Sequence, residues 1–185
     1  MYWCKLKPKT ITALIGSFIL AICITACKPD LKGHGALTYF DINGYFTKEA
    51  ARLAKKNRAI VKTVSHNNDT ESHTVHITDW GLELDLFKSA DINRPAWKNG
   101  YTVVDEYNTL IYKAKTPDLK VREIIIKKDK DKVKWILIYN KTKNILYQTT
   151  EKLSYFPDSL YLIEKDQRVK LMGNNHYVIQ GQLGK

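Results

Sequence analysis

Three thiols, five imidazoles and nineteen carboxylates are the side chains of this sequence with catalytic or ligating chemistry in them. The thiols Cys4, Cys23 and Cys27 all fall in the first 27 residues. No later cysteine exists to close a disulfide, ligate a metal or attack a substrate. His73 and His76 stand three apart, with His66 nearby. On a strand an odd separation sends two side chains to opposite faces, so they make a poor metal pair and are expected to face solvent. HExxH and a calcium-type Asp/Asn loop are absent, and no metal or cofactor site is expected. Ser65, Ser72, Ser89, Ser154 and Ser159 lack a G-x-S-x-G turn. Asp79, Glu83 and Asp85 cluster, as do Asp105 and Glu106, but a glycosidase needs carboxylates opposed across a cleft. These acids are read as solvated, Met172-Gly173-Asn174-Asn175 as a turn rather than a phosphate cradle, and no catalytic residue is assigned. Tyr101, Tyr107, Tyr112, Tyr139, Tyr147, Tyr155, Tyr161 and Tyr177 crowd the second half with Trp135. Such rings stack on sugars or line lipid pockets, yet they are also ordinary strand formers, and the structural role is preferred. Asn68-Asp69-Thr70 and Asn140-Lys141-Thr142 match the N-glycosylation triplet, which recurs by chance.

The thiol with a purpose is Cys27. Lys5, Lys7 and Lys9 give the first nine residues a positive head without an acid, and residues 10–26 carry no charge. A basic head, a short apolar middle and small residues at the end describe an export signal. The apolar run of about 14 residues from Ile11 to Ile24 is short for a spanning helix, which needs about 20. Ile24, Thr25, Ala26 and Cys27 then follow as aliphatic, small, small, cysteine. This box resembles the export signals of bacterial lipoproteins. The resemblance implies a signal peptide over residues 1–26, cleavage between Ala26 and Cys27, and diacylglycerol on the Cys27 sulfur. A peptidase needs small side chains beside its cut, and only a thiol forms the thioether. Two acyl chains give stable anchoring. Residues 27–38 would be a lipidated tether, rich in Pro, Gly and polar side chains. Lys28 is not the aspartate that in some such bacteria retains lipoproteins in the inner membrane. The resemblance therefore implies the outer membrane of a Gram-negative envelope, with the outer leaflet of the inner membrane as the alternative.

Cleavage leaves 159 of the 185 residues, enough for one domain with its own core over residues 39–185. It lowers the formal charge from +11 to +8, because the leader holds three lysines and no acid. Positive charge favours polyanions. An exported chain without a nucleic-acid motif is a poor nucleic-acid partner, and dispersed lysines serve solubility.

Periodicity places the elements. Ile42, Phe46, Ala50 and Leu53 recur at helical spacing from Asp41 to Lys56, with Asp41 as cap and Asn57 as stop. Gly44 weakens the first turn, so the start is expected between Asp41 and Thr47. Strands are expected at Ala59–Ser65 and Ser72–Thr78, joined by a polar turn, then a helix from Asp79 to Ala90 that ends before Pro95. From Tyr101 strands succeed one another across short turns: Tyr101–Tyr107, Thr109–Lys115, Lys120–Lys128, Lys132–Tyr139, Ile145–Leu153, Ser159–Glu164 and His176–Leu183. Val133, Trp135, Leu137 and Tyr139 are expected to share one face, and Asn140–Asn144 to form a turn. Short turns require antiparallel neighbours. The expected fold is α+β: one or two N-terminal helices packed on a mainly antiparallel, curved sheet. Lipoprotein carriers and receptors of the bacterial envelope have that general shape, but no motif in residues 28–185 ties the chain to them. Three functions remain. The first is a non-catalytic binding or assembly domain, with protein or lipid partners in the envelope. The second is a lipid or acyl-chain carrier with a half-barrel cavity, and the third an enzyme acting on envelope glycans.

Overall fold

The computed structural model describes residues 37–170 and 173–184. The chain divides into two units after Ala36, and the second, Leu37–Lys185, carries the fold below. Ile24, Thr25, Ala26 and Cys27 lie outside the described residues.

The first helix, α1, spans Ile42–Lys56. The Asp41 carboxylate caps it, accepting a 2.7 Å hydrogen bond from the Gly44 backbone N–H. Gly44 does not delay the start; it makes the cap possible. A Cβ there would lie 2.0 Å from the Asp41 Oδ2. Asn57 closes the helix in the left-handed conformation, where asparagine is tolerated. The hairpin β1 (Ala59–His66) and β2 (Asp69–His76) follows. The expected second helix is two single turns, α2 (Trp80–Glu83) and α3 (Asp85–Lys88). They meet at Leu84, which leaves helical geometry at φ −95°, ψ 13°. With this break Trp80, Leu84 and Phe87 are all buried, and burial outweighs helical continuity. A 3₁₀ turn at Pro95–Trp97 leads into β3 (Tyr101–Glu106), β4 (Thr109–Ala114), β5 (Val121–Asp129), β6 (Lys132–Lys143), β7 (Tyr147–Phe156), β8 (Leu160–Val169) and β9 (Gly173–Gln182).

All nine strands form one antiparallel sheet in the order β2-β1-β9-β8-β7-β6-β5-β4-β3. It is curved and does not close, so the fold is α+β as expected. The last strand sits between β8 and β1 and joins the early hairpin to the later meander. β6 runs four residues past Tyr139, because Thr142 and Lys143 pair with Thr149 and Gln148.

The helices cover one face of the sheet. Ile42, Phe46 and Leu53 of α1 meet Ile124, Ile126, Ile136, Ile138, Leu153, Tyr155 and Tyr161 in one buried cluster. Phe46, Phe87 and Tyr155 pack tilted or edge to face with centroids 4.9–6.0 Å apart and fill the space between the layers. Trp135, Leu137 and Tyr139 share the uncovered face, but Val133 does not. A bulge pairs Lys127 with Trp135 and Lys128 with Val133, which turns Val133 towards the core.

Candidate functional site

Tyr155 and Tyr161 face each other across β7 and β8, beneath the helices. Each phenol donates to a helix carboxylate. Tyr155 donates to Glu49 of α1 at 2.6 Å, and Tyr161 donates to Glu83 of α2. Each carboxylate also holds a cation. Arg52 donates twice to Glu49, at 2.9 and 2.7 Å, and reaches Asp158 of the β7–β8 turn at 2.6 Å. Lys62 of β1 lies 2.7 Å from Glu83. These partly buried charges are paired and hydrogen-bonded, as burial requires. They fasten α1 and α2 to the sheet, and both Glu49 and Glu83 are committed to these partners. Glu83 is thus a half-buried clamp rather than the expected solvated acid.

Burial first, then the hydrogen-bonded carboxylate, pushes the Tyr155 and Tyr161 phenols well above their ordinary 10.0. Burial likewise raises Tyr45 and pushes Tyr101 up to about 12. The sign of the linkage follows. Above pH about 10 the unfolded chain releases phenolic protons that the folded chain retains. Stability is therefore complete below pH 10 and declines as pH rises towards the folded values. Urea midpoints should stay flat between pH 8 and about 10 and then drop, and Tyr161→Phe should make the drop shallower. Ionisation of every tyrosine near pH 10 without unfolding would refute this.

The helix-covered face holds a second polar group, towards the β6–β7 turn. Val121, Asn140, Glu151, Lys165, Tyr177 and His66 stand side by side across β5 to β1. Glu151 is buried at 6 % exposure, accepts from Asn140 Nδ2 at 3.3 Å, and lies 3.7 and 3.9 Å from Lys120 and Lys165. Asn140 is 2 % exposed, and its Oδ1 has no partner. The triplet starting at Asn140 therefore offers no accessible acceptor. The cluster has no nucleophile; it holds charge and accepts hydrogen bonds.

The opposite face is covered by no described element. Antiparallel sheets that face water usually carry polar side chains there. Here Val104, Ile111, Ile125 and Leu137 run side by side across β3 to β6, and the row continues through Ser154 to Leu162. Ile111, Ile125, Leu137 and Leu162 are half-buried and Val104 is exposed. A depression of about 270 Å³ opens over Ile125, Leu137 and Tyr139, edged by Glu123, Lys152 and Glu164. Glu123 and Glu164 sit on strands three spacings apart, about 14 Å between backbones. Lys113, 3.3 Å from Glu123, holds that carboxylate on the β4 side, away from Glu164. Retaining and inverting glycosidases hold their pair about 5–9.5 Å apart. A second depression, about 340 Å³, contains the His176–Asp166 pair at 2.7 Å and no other carboxylate.

The remaining sequence candidates scatter. His73 and His76 point to opposite faces of β2, opposite Lys62 and Ala59, and His66 stacks on Tyr177 at 4.5 Å. Asp79 caps α2 through the Leu82 N–H, and Asp85 pairs with Lys88. Among the described residues no three His, Cys, Asp or Glu gather as metal ligands, and no helix is long and apolar enough to cross a membrane. Sequence reasoning missed the Glu49–Tyr155 pair and the Asn140–Glu151 cluster. The separations involved, 106 and 11 residues, carry no local signal for the first and only a strand alternation for the second. Together the elements define an α+β domain with helices on one sheet face and a bare aliphatic row on the other. No family model, no curated protein and no solved structure matches the chain.

Proposed function

We propose that this chain is a cell-envelope lipoprotein, held at a membrane through lipid on Cys27, whose domain binds another envelope protein without catalysis. The observation that carries the binding part is the uncovered aliphatic row from Val104 to Leu162. An apolar centre edged by Glu123, Lys152 and Glu164 has the make-up of a protein interface, apolar at its core and charged at its rim. An acyl chain needs an enclosed apolar cavity instead. The space between helices and sheet is filled by Phe46, Phe87 and Tyr155, which speaks against the carrier alternative. The anchor rests on the Ile24-Thr25-Ala26-Cys27 box behind its uncharged run.

One experiment in a Gram-negative host tests both parts. Cells fed labelled palmitate should label the wild-type chain in the membrane fraction, and Cys27→Ala should abolish label and attachment. A photoreactive residue at Leu137, but not at Lys130, should give a discrete adduct that Leu162→Asp removes. Unlabelled wild-type protein would end the lipoprotein assignment. An adduct unaffected by Leu162→Asp would end the assignment of the binding face.

A further inference from the structure

The turn between β6 and β7 presents aliphatic side chains to water without packing them. Ile145 is 86 % exposed, Leu146 68 % and Tyr147 37 %. The turn is held firmly. The Asn144 Oδ1 accepts from the Leu146 and Tyr147 N–H groups at 2.9 and 2.8 Å. The Asn144 N–H donates to the Tyr147 carbonyl at 2.9 Å, and the Lys170 N–H donates to the Leu146 carbonyl at 3.0 Å. With the backbone so fixed, Ile145 and Leu146 cannot fold back onto the sheet. A core has no use for them, and water disfavours them.

Cations surround this tip. Lys141 and Lys143 lie on the strand that enters the turn. Lys143 stands opposite Gln148, which stands opposite Arg168, and Lys170 adjoins Leu146. Among the described residues Lys141, Lys143 and Lys170 form no ion pair, and Arg168 only donates to the Asn174 side chain at 3.1 Å. The nearby acids are engaged elsewhere: Asp166 by His176 at 2.7 Å, and Glu151 by Lys120 and Lys165. Two outward aliphatics inside a ring of uncommitted cations match the layering of an anionic bilayer, apolar within and negative at its surface.

We propose that the β6–β7 turn is a membrane-docking tip, with Ile145 and Leu146 entering the apolar layer while Lys141, Lys143, Arg168 and Lys170 meet anionic headgroups. The docking does not depend on lipid at Cys27. It would set which end of the domain faces the bilayer and leave the aliphatic sheet face free.

The test uses the full chain with Cys4, Cys23 and Cys27 changed to serine, which removes any acylation. An environment-sensitive fluorophore is placed at Leu146→Cys, or at Lys130→Cys in the β5–β6 turn as reference. Vesicles of equal parts phosphatidylglycerol and phosphatidylcholine should shift the probe at 146 to the blue. Pure phosphatidylcholine should not, and the probe at 130 should stay unchanged in both. Lys141→Gln with Lys143→Gln should raise the lipid needed for half the shift about 25-fold, at about fivefold per lysine. Circular dichroism checks that each variant keeps its fold. No shift at 146 with anionic vesicles, an equal shift with neutral ones, or an equal shift at 130 would overturn the proposal. So would a blue shift produced by soluble polyphosphate alone, which would assign the tip to a polyanion rather than a bilayer.

Discussion

Phe46→Ala should destabilise the domain by about 3–5 kcal/mol, the range for removing a fully buried phenylalanine. Phe46 is 0 % exposed and touches three rings at once: Phe87 at 4.9 Å, Tyr155 at 5.0 Å and Tyr45 at 5.2 Å between centroids. No neighbour can fill the space easily. Phe87 is tied to a one-turn helix, and Tyr155 is held by its bond to Glu49. The cavity would therefore persist, and its cost would add to the lost transfer energy of the ring. Urea unfolding followed by circular dichroism measures the change. A midpoint shift equivalent to less than about 1 kcal/mol would mean that the layers collapse onto each other without this ring.

The second large effect is expected at Gly181→Ala, a substitution of one methyl group. Gly181 lies in β9 directly opposite Tyr161 of β8, on the helix-covered face. A Cβ there would sit 2.1 Å from Tyr161 Cε1, 2.3 Å from Cζ and 2.5 Å from the hydroxyl oxygen. The ring lies flat over the glycine because it reaches towards Glu83 of α2. It cannot move aside without giving up its bond to Glu83, which Lys62 also holds. Overpacking alone costs about 1–3 kcal/mol, and a broken hydrogen bond to a charged group adds about 1.5–3. The terms are not additive, so a loss of about 3 kcal/mol or more is expected. A double-mutant cycle separates the cause. With Tyr161→Ala in place, the extra methyl meets no ring and Gly181→Ala should change stability by under about 0.5 kcal/mol. An unchanged penalty in that background would place the strain in the β9 backbone and refute the ring contact.

Both predictions depend on side chains far apart in sequence, and that separates what was legible from what was not. Local patterns predicted α1 closely, because its cap residue, its apolar spacing and its Asn57 stop all lie within seventeen consecutive residues. The seven strands from Tyr101 onward were legible as extended runs between polar turns, but not their ends: β8 runs five residues past the expected Glu164 to Val169, and β9 starts at Gly173 rather than His176 because the two pair throughout. Likewise, β6 was expected to end at Tyr139. Asn140 reads as a turn residue, yet it lies in the sheet because β7 supplies Glu151 beside it.

Two local readings show where neighbours in space intervene. Gly44 is a poor residue for a first turn, yet the helix starts at Ile42, the early end of the expected range, because the Asp41 side chain caps it through the space a Cβ at Gly44 would fill. A period of two puts Val133 on the face of Trp135, and a bulge at Lys127/Lys128 reverses it. A bulge is decided by the pairing of two strands, so neither strand shows it alone.

The sequence by itself determined the succession of strands and the first helix, and it alone carries the Ile24-Thr25-Ala26-Cys27 box on which the proposed anchor rests. Those features depend on neighbours within a turn or a strand. The tertiary structure alone decided that Glu49 and Glu83 clamp helices to the sheet, that Tyr155 and Tyr161 are core, and that the last strand joins the first hairpin to the rest. It also decided which of two apolar faces of β5 and β6 the helices cover. Both faces carry isoleucine or leucine, so alternation marks the strands but not their inner side. That choice depends on where α1 and α2 can bond, through Tyr155 and Tyr161, to a sheet assembled from distant segments.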